Sequence, residues 1–237
     1  MRFGQRPIAL LKSLTLSQVE ELRSIGSARS YRKNQSVYEL GQPADAVHIV
    51  LKGRVRLRDR DWEGRDITVG FAAEAESFGH EVLAELPRRV LSAAAAESSE
   101  VLSVHRDALR DLLARDSVLA RHLLRHVAEI DIHLQERIKM LAFLDVPSRL
   151  AGTILWLADR YGTPVDTAVE VPYWFTHQEM ADLIGSTRET VTTVLAEFKR
   201  GGLVDTRNHH FVVLDRDALT LRIRLPSFGE IVEHPPQ

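Results

Sequence analysis

The chain has 237 residues, 44% hydrophobic and 27% charged, enough apolar content to fill one large domain or two modest ones. Lys and Arg number 31 against 33 Asp and Glu, so the formal net charge of −2 excludes both a polycation and an acidic tail protein. With no cysteine, a disulfide framework, a thiolate zinc site and a cysteine-ligated iron–sulfur cluster are excluded.

The start, MRFGQRPIALLKSL, lacks the apolar core and small-residue cleavage site of a signal peptide. No later run approaches the ~20 apolar residues of a membrane span. The expectation is a soluble, cytoplasmic, globular protein with no membrane partner. Residues 8–25 carry apolar residues at helical spacing, with Ser17 and Glu20 matching a capping box. From Val37 the period changes to two. Val47, Ile49 and Leu51 alternate with His48 and Val50, and Val55 and Leu57 alternate with Arg54, Arg56 and Arg58. That pattern predicts antiparallel strands with one wet face. Further strands are expected at 66–71 and 100–104, with Gly41, Gly53, Gly64 and Gly79 at the turns. Residues 36–104 therefore read as a small β-barrel or roll.

Arg106–Phe143 contains neither Pro nor Gly and is helical in pattern, with one break near Asp116 and Ser117. Leu123, Val127, Ile130, Leu134 and Leu141 form a heptad seam, interrupted where Arg137 takes an apolar position. A helix over 117–143 would be ~40 Å long. A seam this narrow is expected to pack against the same helix of a second chain, the other reading being its own β-domain. His122, His126 and His133 share one side of this helix, which raises a metal or pH sensor against plain helix-face polarity. Asp145-Val146-Pro147 marks a boundary, with Pro147 opening a helix that ends at Gly162.

The most informative stretch is 176–202, THQEMADLIGSTRETVTTVLAEFKRGG. Thr176 with Glu179, and Ser186 with Glu189, match two capping boxes. Gly185 lies between them, where a sharp turn wants positive φ. Met180, Leu183 and Ile184 face Val191, Val194 and Leu195, and Ala181 is small where two helices cross. This is a helix-turn-helix. Two short strands around the turn RNHH (207–210) follow it and make a wing. A recognition helix reads bases from its first residues, so Thr187, Arg188, Glu189, Thr192 and Thr193 are the candidate base contacts. Arg bridges guanine O6 and N7, and Glu accepts from cytosine N4. Thr176, Gln178, Lys199, Arg200 and Arg207 are candidate phosphate contacts, with a plain solvated surface the alternative for Lys199 and Arg200. Residues 145–237 carry 9 Lys and Arg against 13 Asp and Glu, so attraction to DNA must come from local placement.

The fold class is α+β: an N-terminal β-roll (1–115), a long helix (116–144), a winged helix-turn-helix (145–225) and a tail (226–237). This order resembles the cyclic AMP receptor / fumarate-nitrate regulator (Crp–Fnr) family of bacterial transcription factors. GQPADAVHIVLKGRV (41–55), LAFLDVPSRLA (141–151) and TRETVTTVLAEFKRGGLV (187–204) carry the resemblance. It implies a cyclic-nucleotide-type jelly roll, a homodimer seated on a pseudo-palindromic operator, activation of transcription, RNA polymerase as a partner, and no enzymatic activity. Arg188 and Glu189 fall on the family's base-contacting positions, while Thr193 stands where many members have Arg. The family's effector cassette resembles F-G-E-L…R-S-A, and here it reads FGHEVLAELPRRVLSAA (78–94). Gly79 and Arg89 fit a phosphate and Glu81 follows, but His80 and Val90 replace the ribose-binding Glu and a phosphate-binding Ser. Leu134 and Gln135 stand where cyclic AMP binders present Thr-Ser to the adenine. A pocket without those partners loses affinity for a polar ligand, so no cofactor is expected and cyclic AMP is not expected to bind tightly. Two other functions stay open: a ligand-sensing β-roll protein acting through protein partners with a non-functional helix-turn-helix, and a cupin-type metalloenzyme. The second has only His48 on its strand to offer a metal.

Overall fold

The computed structural model describes residues 9–60, 63–64, 66–207 and 210–223. The start of the chain, the wing residues Asn208 and His209 and the tail from Pro226 lie outside the described residues. The described residues form two compact units that part between Ile132 and His133, within one continuous helix. Among them, no helix is long and apolar enough to cross a membrane.

The first unit opens with a 3-10 turn and helix α1 (Leu16–Ile25). Its capping box is not the expected Ser17–Glu20 pair. Thr15 Oγ1 accepts from the Gln18 amide at 3.3 Å, and Gln18 Oε1 accepts from the Thr15 amide at 3.1 Å. Ser17 is already inside the helix. Eight strands follow: β1 (Gly26–Tyr31), β2 (Ser36–Tyr38), β3 (Ala46–Lys52), β4 (Arg54–Arg60), β5 (Asp66–Ala73), β6 (Ser77–Phe78), β7 (Ser92–Ala95) and β8 (Ser99–His105). They form two antiparallel four-stranded sheets, ordered β1-β8-β3-β6 and β2-β7-β4-β5. Tyr31, Tyr38, Val50, Val55, Phe78 and Val101 fill one core cluster. The other face of β3 and β8 presents Val47, Ile49, Leu102 and Val104 to helical leucines, with α2 (Arg106–Arg115) and the start of α3 (Ser117–Phe143) contributing Leu112, Leu119 and Leu123. β3 is therefore buried on both faces, including His48 and Val50, and the expected wet face is absent. Each fully buried Leu in this cluster contributes ~1.5–3 kcal/mol of burial free energy.

The second unit holds the rest of α3 and then α4 (Val146–Tyr161). Asp145 caps α4, its Oδ1 accepting from the Ser148 amide at 2.9 Å, with Pro147 in the first turn. Leu150, Ile154, Leu155 and Leu157 bury the helix among its neighbours. β9 (Thr163–Val165) and β10 (Ala168–Trp174) lead into α5 (His177–Ile184) and α6 (Arg188–Arg200). β11 (Val204–Arg207) and β12 (His210–Val213) form the wing, in a sheet ordered β11-β12-β10-β9. A short helix α7 (Arg216–Leu221), capped by Asp215, closes the described chain and buries Leu219.

Candidate nucleic-acid interface

Local sequence chemistry builds the α5–α6 pair. Thr176 and Glu179 form the expected box: the Thr176 amide donates to Glu179 Oε2 at 2.8 Å and the Glu179 amide to Thr176 Oγ1 at 3.1 Å. Gly185 ends α5 at φ 60, and the Ser186 amide donates back to the Ala181 carbonyl at 2.9 Å. Two arginines hold the last carbonyls of α5. Arg137 Nη2 donates to Leu183 O at 3.0 Å, and Arg149 Nη1 donates to Ile184 O at 2.7 Å. Arg137, which broke the heptad seam in the sequence, is thus a cap for another helix.

The cap of α6 differs from the expectation. Thr187, not Ser186, is its N-cap, with Thr187 Oγ1 accepting from the Thr190 amide at 3.2 Å. Glu189 is therefore not spent on a capping box. Val191, Val194, Leu195 and Phe198 bury one face of α6, which leaves Arg188, Glu189, Thr192 and Thr193 exposed together on the other, next to exposed Thr187. The Glu189 carboxylate and Arg188 guanidinium make no hydrogen bond or ion pair among the described residues. Thr192 and Thr193 hydroxyls donate to the carbonyls of Arg188 and Glu189 at 2.8 and 3.1 Å.

The candidate phosphate contacts fall into two kinds. Lys199 and Arg200 are exposed in the last turn of α6, and Arg207 is exposed on the wing, 3.8 Å from Asp205. Thr176 serves its cap, and Gln178 Nε2 donates to Asp182 Oδ1 at 2.8 Å. His177 was not among the candidates the sequence offered. Its Nδ1 lies 2.8 Å from Thr192 Oγ1, and it lines a cleft of about 600 Å³ with Trp174, Gln178, Arg188, Thr206 and Phe211. Partial burial, then the Arg188 and Lys199 cations, hold its imidazole below the usual range.

In the first unit, Gly79, His80, Glu81 and Arg89 come together. Gly79 takes φ 78, and a Cβ there would sit 2.8 Å from Arg89 Nη1, so only glycine admits the buried guanidinium this closely. Arg89 Nη1 pairs with Glu81 Oε1 at 3.0 Å, while Nη2 donates to Ala46 O at 2.8 Å and meets His48 Nε2 at 3.0 Å. The guanidinium also lies 4.2 Å from the Tyr38 ring centroid. Burial first, then Arg89, pushes the His48 imidazole down to about 3, and burial pushes His80 down to about 4. Both rings are neutral at ordinary pH. His48 Nε2 thus accepts from Arg89, and Nδ1–H donates to Ser103 Oγ at 2.9 Å. Val90, by contrast, is 51% exposed. Leu134 and Gln135 are exposed residues of the second unit.

The seam on α3 divides into a part buried within the chain and an exposed part. Leu123 is 6% exposed inside its own core cluster and Val127 is half-buried against it, so these two pack within the chain. Ile130 is half-buried, whereas Leu134 and Leu141 are exposed, in company with Leu124 at 70% and Ile138 at 64%. The three histidines of α3 do not converge. His126 is buried 6.0 Å from the His80 ring, while His133 stacks on Trp156 at 4.1 Å in the other unit. Among the described residues, no group of three or more His, Cys, Asp or Glu is placed to hold a metal.

Residues 28–116 match the cyclic nucleotide-binding domain family, and residues 148–222 match the Crp-like helix-turn-helix domain family. A CRP-like cAMP-activated global transcriptional regulator of Mycobacterium tuberculosis is 30% identical, over 82% of this chain and 87% of that one. The structure of FixK2 from Bradyrhizobium japonicum superposes with a TM-score of 0.75 at 24% identity, covering 86% of this chain and all of that one. A CRP-family transcriptional regulator of Thermus thermophilus superposes at 0.68 with 26% identity, covering 82% of this chain and 96% of that one.

Proposed function

Since the chain belongs to the Crp–Fnr family of bacterial transcription regulators, with a helix-turn-helix DNA-binding domain, we propose that it works as a homodimer reading a pseudo-palindromic operator in the cytoplasm. The observation that carries this is the exposed first turn of α6, where Arg188 and Glu189 stand side by side with no partner among the described residues. Arg188 contacts a guanine and Glu189 an adjacent cytosine, with Thr187, Thr192 and Thr193 lining the same groove. Lys199, Arg200, Arg207, Thr176 and Gln178 set the register on the phosphates. The second chain covers the exposed α3 stripe of Leu124, Leu134, Ile138 and Leu141. RNA polymerase is the partner that the family resemblance gives the bound dimer.

Cyclic AMP is not the effector in this reading, although the M. tuberculosis relative is named as cAMP-activated. Arg89 is already paired with Glu81, so a phosphate must displace a carboxylate, and His80 and Val90 offer a ribose and a phosphate nothing in return. A second reading, a sensor acting through protein partners, is favoured by the acidic balance of residues 145–237, 9 basic against 13 acidic. Selection of duplexes from a random-sequence pool, with and without cyclic AMP, separates the two. The DNA reading expects paired half-sites about one helical turn apart, enriched equally in both arms. No enriched sequence in either arm would favour the partner reading.

A further inference from the structure

The hydrogens around Thr192 decide the state of His177. Thr192 has one hydroxyl hydrogen, and it is donated to the Arg188 carbonyl at 2.8 Å. The 2.8 Å contact between Thr192 Oγ1 and His177 Nδ1 must then be donated by the ring. A neutral imidazole with its hydrogen on Nδ1 carries a bare lone pair on Nε2, and only the imidazolium offers a second N–H. Nε2 has no partner among the described residues, and the side chain lines the cleft of about 600 Å³ beside Arg188.

We propose that His177 is a DNA-backbone contact: with Nδ1–H held by Thr192, its protonated Nε2–H donates to a phosphate oxygen, so binding takes up a proton from solvent. The inference rests on the DNA-binding reading above and adds a contact that switches with pH. One N–H bond forms at Nε2 as a hydronium ion or buffer acid gives up its proton, leaving water or the buffer base, and no other bond changes. The charged groups acting on His177 are Arg188 and Lys199, both on α6, and with partial burial they keep the free protein's imidazole neutral near pH 7. Its cleft neighbours Gln178 on α5, Trp174 on β10, Thr206 on β11 and Phe211 on β12 carry no charge. A phosphate arriving there reverses the sign of the local field and stabilises the imidazolium. Protonation also strengthens the bond to Thr192, a candidate base contact, so it firms the reading face as well.

The test is affinity for a duplex that the protein itself selects from a random-sequence pool, measured from about pH 8 down to about pH 6. Wild type should gain about three- to tenfold as pH falls, since one linked proton allows at most about tenfold per pH unit. His177→Gln, which keeps a neutral donor, should bind with a flat profile over that window. His210→Gln should keep the slope, because His210 is bonded to Glu170 at 2.8 Å within the wing sheet. Calorimetry in buffers of different ionisation heat should show proton uptake by wild type, a readout that needs no variant. A flat wild-type profile, zero uptake, or a slope that survives in His177→Gln overturns the inference while leaving DNA binding standing. If wild type binds no duplex at any pH, the DNA-binding reading fails and this contact with it.

Discussion

Arg89 is a heavily committed side chain of the first unit, buried and held by Glu81, Ala46 O and His48. Removing Glu81 leaves the buried guanidinium with only the exposed Asp45 carboxylate, 3.7 Å away, as a counter-charge, and breaking one partner of a buried pair costs more than the pair contributes. Glu81→Gln should therefore lower unfolding stability by about 3 kcal/mol, and replacing both Glu81 and Arg89 by Leu should recover much of that. Urea midpoints measure both. The neutral histidines add a pH dependence. His48 and His80 titrate at about 3 and about 4 in the fold, against ~6.5 in an unfolded chain. The unfolded state binds their protons first, so stability is fully present above about pH 6.5 and is lost as pH falls towards the folded values. Thermal midpoints should drop between about pH 7 and about pH 5, less steeply in His80→Gln. The exposed helix-tip position of Arg188 and Glu189 was readable from the sequence because a helix tip is set by turn chemistry within a few residues. His177 was not, since its partner Thr192 is fifteen residues away and only the crossing of α5 and α6 joins them.

The recognition helix depends on how α5 ends, and two cations from other helices terminate it. Arg149→Ala frees the Ile184 carbonyl and should cost about 1–2 kcal/mol of stability, measured by thermal unfolding. Arg149→Lys should recover only part, because an ammonium lacks the planar fork. The helices of the middle and second half of the chain and the longer strands were legible from periodicity and Gly placement, including the break at Asp116 between α2 and α3, whereas β1, β6, β7 and β9 are too short or too polar to show a period. The caps differ from the expected ones by one or two residues, Thr15 for Ser17 and Thr187 for Ser186, because nearby Ser and Thr both supply an oxygen that can cap. β3 looked half-wet because His48 broke its apolar run, yet Arg89 and Ser103 satisfy that ring inside the core. α7 spans only six residues, too short for a helical period to show.

The seam on α3 shows why periodicity alone does not assign a partner. Leu123 and Val127 continue the same heptad as Leu134 and Leu141, but the first pair packs on the chain's own β-sheet and the second is exposed. The proposed dimer therefore turns on the exposed residues. Leu124→Glu with Ile138→Glu, both on exposed positions, should yield a folded monomer by light scattering, with an unchanged circular dichroism spectrum. A dimer that persists would place the interface elsewhere. The whole molecule's task reduces to whether α6 chooses bases. The decisive measurement is the affinity of wild type and Arg188→Ala for a complete set of single-base-pair variants of the selected duplex. Arg188→Ala should lose about 1–3 kcal/mol on the parent sequence and become indifferent at one base pair in each half-site. The same base preferences at every position in both proteins would contradict it.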